Sequence, residues 1–419
     1  MALGPSRVVV TGIGAVTSIG TGRRQLWEAF LSGQSGISAV ESFDSSRYPV
    51  HRGGEIKQFV PSQFVRRLSP AAVGRAAALA IAAARLALED AGLAPDGADL
   101  QRAGVALGTT SGEPQLVEWF NDCETTERRD RIGQEFIGQY PCNRLATSVA
   151  GELRFGGSVT VIPTACAAGN YAVAAAFDAL RADETDLMLA GGADAFSRIT
   201  YAGFARLGAI APDVCRPFDR NRRGMIPGEG AAVLVLETLE RALARGALIY
   251  AEVAGYGLSC DATHMTMPQA GGAARAMEQA LASTGIRPSE IDYISAHGTG
   301  TAANDRVETA AVKQVFGDAA RHVPMSSVKS MIGHTMGAAS AIEAAVCALA
   351  VRSDRIPPTI NLDTPDPECD LDYVANASRA HVVQAAMNNA YAFGGHNATV
   401  IFTKYDERRV PQTARGTDR

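Results

Sequence analysis

Val159-Thr160-Val161-Ile162-Pro163-Thr164-Ala165-Cys166-Ala167-Ala168-Gly169-Asn170 is the stretch on which the fold turns. A β-branched run stops at a proline, a cysteine sits at the turn, and an alanine-rich segment begins. β-Branched residues favour strands, and alanine is the best helix former. The same alternation recurs along the chain. Strands are predicted at 7–11, 105–107, 159–162, 187–190, 232–236, 291–295 and 399–402, and helices at 71–91, 168–182, 272–284 and 338–351. Strand, loop and helix in repeated succession point to an α/β architecture.

Working outward, the two halves of the chain match in order. A helix closing on Ala91-Gly92-Leu93 leads through a polar loop to the strand at 104–107. A second, closing on Thr284-Gly285-Ile286, leads through a polar loop to the strand at 291–295. The run 159–163 passes through Cys166 into one alanine-rich helix, and 323–325 passes through Lys329 and His334 into another. No low-complexity linker divides the halves, so they are expected to pack as one body.

The bulk numbers set limits. With 419 residues and 47% hydrophobic residues the chain can bury a large core, and 20% charged residues is too few for global disorder. The net charge of -5 argues against a nucleic-acid protein, which needs a basic face. The apolar run 8–10 is too short for a signal core. The longest apolar helix candidate, 71–88, carries Arg75 and Arg85 and reads as a buried helix, not a membrane span. The seven cysteines form no Cys-x-x-Cys pair, so neither a zinc site nor a redox motif is expected. Their scatter fits reduced thiols and a cytoplasmic location.

Four places could carry chemistry. At Cys166, the unpaired N–H groups and positive dipole end of the following helix would favour a thiolate. A cysteine taken alone is more often a buried small hydrophobe. Ser295-Ala296-His297-Gly298-Thr299-Gly300-Thr301 ends a strand in a loop of glycines and hydroxyls, although a lone histidine here also suits a core position. Neither this Gly-x-Gly nor the one at 12–14 has a full nucleotide fingerprint around it. In Ser326-Ser327-Val328-Lys329-Ser330-Met331-Ile332-Gly333-His334, a lysine and a histidine stand before an alanine-rich helix. The helix N-terminus should hold that histidine neutral, as a donor to a developing oxyanion. Ala392-Phe393-Gly394-Gly395-His396-Asn397 is a tight turn before the last strand. Together these suit a nucleophile with oxyanion donors, and by residue type alone they also suit a cysteine hydrolase.

With these motifs in order, the chain from about 8 to 402 resembles the β-ketoacyl-acyl carrier protein synthases. The resemblance rests on Thr164-Ala165-Cys166, Ala296-His297-Gly298-Thr299-Gly300-Thr301, Val328-Lys329-Ser330 with Gly333-His334, and Phe393-Gly394-Gly395 with Asn397. Arg216-Pro217-Phe218-Asp219 and Pro227-Gly228-Glu229-Gly230-Ala231 add two more blocks. It implies a thiolase fold, five-layer αβαβα, from two related halves: 1–250 with the nucleophile, 251–405 with two histidines, and a tail at 406–419.

The resemblance also implies a Cys166-His297-His334 triad, with the N–H groups of Cys166 and Phe393 as oxyanion hole. Lys329 would form an ion pair with Glu308, and Asp305 would add structural support. Thr299 and Thr301 would hold a pantetheine arm, with Ser111, Tyr391 and Phe393 at the substrate pocket. No cofactor or metal of its own is implied, since substrates ride on the phosphopantetheine of an acyl carrier protein. Arg66-Arg67 is the candidate docking patch for that acidic carrier. A dimer is implied, either with itself or with a chain-length-factor-like partner, and neither nucleic acid nor membrane.

Four departures bear on the substrate. Ala302-Ala303-Asn304-Asp305 replaces a usual Pro-x-Gly-Asp, as in aromatic polyketide synthase subunits. Arg222-Arg223-Gly224 replaces Arg-Asp-Gly. Tyr391-Ala392-Phe393-Gly394-Gly395-His396-Asn397 replaces Phe-Gly-Phe-Gly-Gly-Thr-Asn, and Thr110-Ser111-Gly112 is polar where a bulky apolar residue is common. The expected activity is decarboxylative condensation of malonyl carrier with an acyl group on Cys166, in a polyketide or polyene pathway. Housekeeping fatty-acid elongation and an acyltransferase without condensation are the alternatives. A non-catalytic chain-length partner is disfavoured by the presence of Cys166.

Overall fold

The computed structural model describes residues 6–95, 100–126 and 128–406; the predicted tail, from 407 onward, lies outside them. Ten strands carry the architecture: β1 (Val8–Thr17), β2 (Gly104–Gly108), β3 (Val159–Ile162), β4 (Leu187–Asp194), β5 (Gly230–Thr238), β6 (Ala251–Cys260), β7 (Tyr293–Ser295), β8 (Met325–Ser326), β9 (Ala385–Tyr391) and β10 (His396–Thr403). Seven helices matter here: α1 (Arg75–Asp90), α2 (Arg144–Leu153), α3 (Ala168–Arg181), α4 (Arg198–Arg206), α5 (Ala270–Thr284), α6 (Ala302–Phe316) and α7 (Ala339–Ser353).

The strands follow the order β8-β7-β9-β10-β6-β1-β5-β4-β2-β3. Read outward from the centre, β1-β5-β4-β2-β3 and β6-β10-β9-β7-β8 are the same path taken twice. The directions repeat as well. β2 runs parallel to β3 and β4, as β7 does to β8 and β9, and the remaining pairs within each half are antiparallel. The halves join where β1 and β6 pair over Val8–Val10. This is the predicted duplication, and the packing gives the αβαβα layers. α1 covers β1 and β5, with α2 against it. α3 and α7 lie between the half-sheets, and α5 covers β6 and β10, with α6 alongside.

α3 and α7 cross closely because a Cβ at Gly169 would collide with the backbone of Ala341. The Gly169 position therefore sets how near the two half-sites can come. Every residue of α7 from Ala339 to Val351 is buried. A helix apolar all round belongs to a core. The run Met336–Ser353 is long and apolar enough to cross a membrane, and it is buried inside the molecule.

Several long elements were not predicted, among them β6, β9, α2, α4, α6 and the helices Arg23–Ser32 and Pro114–Thr125. β9 reads Ala-Ala-Met-Asn-Asn-Ala-Tyr, with no β-branched residue, and its asparagines are matched only in three dimensions. The Asn388 amide donates to Asn170 Oδ1 at 2.7 Å and to the Ser340 carbonyl at 2.8 Å, and Thr399 Oγ1 donates to Asn389 Oδ1 at 2.8 Å. Tertiary hydrogen bonding overrides local propensity there.

Candidate active site

β3 delivers the chain to a 3-10 turn, Ala165–Ala167, that leads directly into α3. Ala165 holds a left-handed φ of 48°, a conformation costly for a residue with a Cβ. The turn presents Cys166 at the floor of a cavity of about 290 Å³. His297, Thr299, Thr301, His334, Tyr391 and Phe393 also line this cavity, so the structure brings together most of the predicted site. The ligating atoms of Cys166, His297 and His334 all lie within 4.8 Å of one another.

His334 Nε2 lies 3.1 Å from Cys166 Sγ. The other nitrogen of that ring, Nδ1, accepts the Met336 N–H at 3.2 Å, so the ring proton sits on Nε2 and faces the sulfur. His297 is set the same way, with Lys329 Nζ 3.4 Å from Nδ1. The ammonium can only donate, so Nδ1 accepts and Nε2 carries the proton. Burial pushes both histidines well below their ordinary range, and the Lys329 charge adds to it. Both rings are neutral donors near the sulfur. Their neutrality comes from burial and Lys329, in place of the helix terminus expected for His334.

Burial likewise pushes the Cys166 thiol up to about 12, against the pull of Lys329 and of the N–H groups of Cys166 and Phe393. The resting group is therefore a thiol, not the thiolate expected at a helix start; desolvation outweighs the dipole here. The two backbone donors at Sγ are the pair predicted as an oxyanion hole.

The expected ion pair of Lys329 with Glu308 is corrected. Lys329 Nζ pairs with Glu343 of α7 and donates to the His297 carbonyl at 2.7 Å. Both side chains are fully buried, and burial raises Glu343 to about 7. Glu308 turns instead to the backbone, accepting the His297 and Gly298 N–H groups at 2.8 Å each. Asp305 accepts from Phe218 N at 2.8 Å and Gly300 N at 3.2 Å. These two carboxylates hold the His297–Thr301 loop in its turn, and the Thr301 hydroxyl caps α6.

Ser111 is also corrected. It is exposed and outside the cavity lining, with its N–H donated to Asp194 Oδ1 at 3.2 Å. Position at the end of β2 does not by itself aim a side chain at the nucleophile. Arg66 and Arg67 give their backbone N–H groups to Glu152 and lie outside the residues lining the cavity.

Three features were missed from the sequence. The segment from Asp261 to Pro268 walls the cavity, and its Met265 carbonyl accepts the Gly394 N–H at 2.8 Å. No periodicity marks it. Glu343 had a visible signal, since an acid amid an apolar helix needs a buried partner. Asp194 ends β4 and accepts from Thr109 Oγ1 at 2.8 Å, Thr110 N at 2.7 Å and Gly337 N at 2.6 Å, tying the two half-sites together.

Cys166, His297 and His334 could in principle ligate a cation. Both imidazoles would have to give up the Nε2 proton that their Nδ1 bonds fix, beside the Lys329 ammonium. That donor set fits a metal poorly.

The comparisons agree with this geometry. Residues 5–242 match the family model "Beta-ketoacyl synthase, N-terminal domain", and 250–363 match its C-terminal domain. A 3-oxoacyl-[acyl-carrier-protein] synthase 2 of Synechocystis is 40% identical over 408 residues, covering 95% of this chain and 98% of that protein. Nodulation protein E of a Rhizobium is 40% identical over 397 residues, covering 94% and 98%. Among solved structures, the ishigamide ketosynthase/chain length factor superposes with a TM-score of 0.93 at 44% identity, covering 96% of this chain and all of that one. A type II polyketide synthase ketosynthase in complex with its acyl carrier protein gives 0.88 at 35%, with the same coverage. With a duplicated αβαβα fold, one cysteine facing two neutral histidines, and both family models matched in order, the chain is a member of the β-ketoacyl synthase family of acyl-transferring enzymes.

Proposed function

We propose that the chain joins malonyl-acyl carrier protein to an acyl group held on Cys166, with loss of carbon dioxide, giving a 3-ketoacyl carrier two carbons longer. The observation that carries this is the pair of Nε2–H donors converging beside Cys166 Sγ, a layout suited to an enolate oxygen and without use in simple hydrolysis.

In the first step Cys166 Sγ attacks an acyl thioester. The tetrahedral oxyanion is received by the Cys166 and Phe393 N–H groups. Collapse expels the carrier's thiol, which ends with the proton the cysteine gave up. Once acylated, the sulfur is a poor acceptor, so His334 Nε2–H is released. A malonyl thioester then enters. Its carbon–carboxylate bond breaks, carbon dioxide leaves, and the electron pair moves into an enolate whose oxygen sits between His297 and His334. The enolate carbon attacks the acyl carbon, and collapse frees the Cys166 thiolate, which takes up a proton from solvent to restore the resting thiol. Holding both partners in place makes the bond-forming step effectively unimolecular. Lys329, pinned by Glu343, supplies positive charge behind the histidines as the enolate forms.

The acidic acyl carrier protein is the partner for the mouth, where Thr299 and Thr301 would meet its pantetheine arm and Arg66-Arg67 would receive its surface. Assembly with a chain-length-factor-like subunit is supported by the 44% identical ketosynthase/chain length factor; a homodimer is the alternative mate. The location is the cytoplasm. The same relative, with the departures at Tyr391, Ala392 and Ala302-Ala303-Asn304, favours polyketide or polyene synthesis. The full-length match to a 3-oxoacyl-[acyl-carrier-protein] synthase 2 supports housekeeping elongation as a second reading. Carboxyl-labelled malonyl carrier offered with a panel of acyl carriers decides both points. Labelled carbon dioxide released together with chain extension is expected, strongest for unsaturated or oxygenated acyl groups. Acyl transfer without label release refutes the condensation, and preference for saturated chains refutes the specialised pathway.

A further inference from the structure

Asn304 stands in the first turn of α6 and lines the cavity beside Thr299 and Thr301. Its amide nitrogen is already engaged. Nδ2 donates to Asp305 Oδ1 at 3.2 Å and to Glu308 Oε2 at 3.5 Å, the two buried carboxylates that hold the His297–Thr301 loop. That settles which way the amide points, because turned over it would set a carbonyl oxygen against two carboxylate oxygens. Asn304 Oδ1 accepts from nothing among the described residues and, unlike the Tyr391 hydroxyl, it is not shut off from solvent. With the nitrogen turned into the protein, the carbonyl is the face that Asn304 gives to the cavity.

Its neighbours are better placed to donate. The Thr299 and Thr301 hydroxyls are bonded to each other at 2.9 Å, and their oxygens take the N–H groups of Thr301 and Asn304 at 3.4 Å each. One hydroxyl proton of the pair is left over for an incoming acceptor. Phe204, Leu207, Met225 and Phe393 make much of the remaining wall apolar. An N–H drawn into such a channel loses its water and needs an acceptor there.

We infer that Asn304 Oδ1 accepts a hydrogen bond from an amide N–H of the pantetheine arm, fixing how deep the thioester is carried toward Cys166. This rests on the reading above that substrates arrive on that arm. The arm carries two amides, and each brings a carbonyl and an N–H. The threonine pair has a proton for a carbonyl, and Asn304 supplies the acceptor that an N–H needs. Asn304 touches no reacting atom. It is a positioning residue, and it serves acyl loading and malonyl entry alike, because both substrates ride on the same arm.

The test pairs a change in the protein with a change in the ligand. Acyl-pantetheine and two analogues, each with one amide N–H replaced by an ester oxygen, are offered to the full-length parent and to Asn304→Ala. Acylation of Cys166 is followed by intact mass. For one of the two analogues the parent should show a KM ~3- to 10-fold above that for acyl-pantetheine, as for one lost neutral hydrogen bond. For Asn304→Ala the same swap should change KM by less than about two-fold. Loosening of the loop, which also loses the Nδ2 bonds, slows all three substrates alike and leaves that ratio unmoved. A parent indifferent to both swaps overturns the inference, and so does a variant as sensitive as the parent. Parent protein that loads acyl-pantetheine but releases no carbon dioxide from malonyl carrier overturns the condensing reading, while the Asn304 contact still stands or falls by the ratio.

Discussion

Thr164-Ala165-Cys166-Ala167-Ala168-Gly169 and Thr335-Met336-Gly337-Ala338-Ala339-Ser340 occupy equivalent places in the two halves, each leading from a strand edge into a central helix. Both pass through a 3-10 turn, both hold a non-glycine residue at left-handed φ (48° at Ala165, 55° at Met336), and both bury an unpartnered threonine hydroxyl. They differ at three positions, Ala165/Met336, Cys166/Gly337 and Gly169/Ser340, and the middle one divides their chemistry. Cys166 turns its sulfur into the cavity, whereas a Cβ at Gly337 would strike the Thr109 backbone, and its N–H is given to Asp194. The second turn is pressed flat, and its chemistry moves back to His334. One duplicated device has thus been divided into a nucleophile on one side and a donor on the other, facing each other across 3.1 Å.

If that division is real, the two chemistries come apart. Cys166→Ala should abolish acyl-enzyme formation, read by intact mass, and lower condensation by about 10³-fold or more. It should leave the fold and carbon dioxide release from malonyl carrier in place. His297→Ala should do the reverse, keeping acyl loading while carbon dioxide release falls by about 10²- to 10³-fold. Loss of both steps in either variant would break the comparison.

The next effect concerns the second half alone, since among the described residues the Lys329–Glu343 pair has no ionic equivalent behind Cys166. Lys329→Met strands Glu343 in the core and should destabilise by about 3–5 kcal/mol. Glu343 is already raised to about 7 from 4.5. A carboxyl raised on folding favours the native state at low pH and weakens it as pH rises through the folded value. Removing the lysine raises it further, so the variant's deficit, measured by urea unfolding, should be larger at pH 8 than at pH 5. The double variant Lys329→Met/Glu343→Met should recover stability and not activity.

The resting thiol gives a third handle. With Cys166 pushed up to about 12, its alkylation by iodoacetamide should rise ~10-fold per pH unit with no plateau up to pH 10. A plateau near neutrality would mean the helix start prevails over burial, as the sequence alone suggested.

The legible parts of this molecule are those where one residue type is out of place in a simple local pattern. Cys166 interrupts a strand-to-helix joint, and His297 and His334 stand among glycines at similar joints. The duplicated order was visible because α1 and α5, and α3 and α7, are alanine-rich in both halves. The partner of Lys329 was only half legible: Glu343, an acid amid an apolar helix, signals a buried partner, but Glu308 is an acid on a helix of the same half. Only the crossing of α7 beneath the loop chooses between them. β9 hid for a related reason, its asparagines finding their partners on α3 and α7 (Asn388) and on β10 and α5 (Asn389), not in their own segment. Ser111 failed because the end of a strand fixes where a residue is, not where its side chain goes.

The smallest effect tests whether the shared backbone, apart from the side chains, is what both halves require. Ala165 and Met336 each hold a left-handed φ that costs an L-residue about 1–2 kcal/mol, while glycine reaches it freely at about 0.5–1 kcal/mol of added chain entropy. Ala165→Gly should therefore stabilise by up to about 1 kcal/mol, seen as a modestly later thermal transition. It should also loosen the turn that aims Cys166, lowering acyl loading and leaving carbon dioxide release untouched. Met336→Gly sits before the flattened turn, where His334 is anchored by the Met336 N–H that glycine retains. Met336 is also buried, so losing its side chain should cost about 2–5 kcal/mol and outweigh the relieved φ, with little kinetic cost in either step. If both glycines slow acyl loading equally, the two turns are not a nucleophile and a donor but a single rigid frame. The division argued from Cys166 and Gly337 would then belong to the side chains alone.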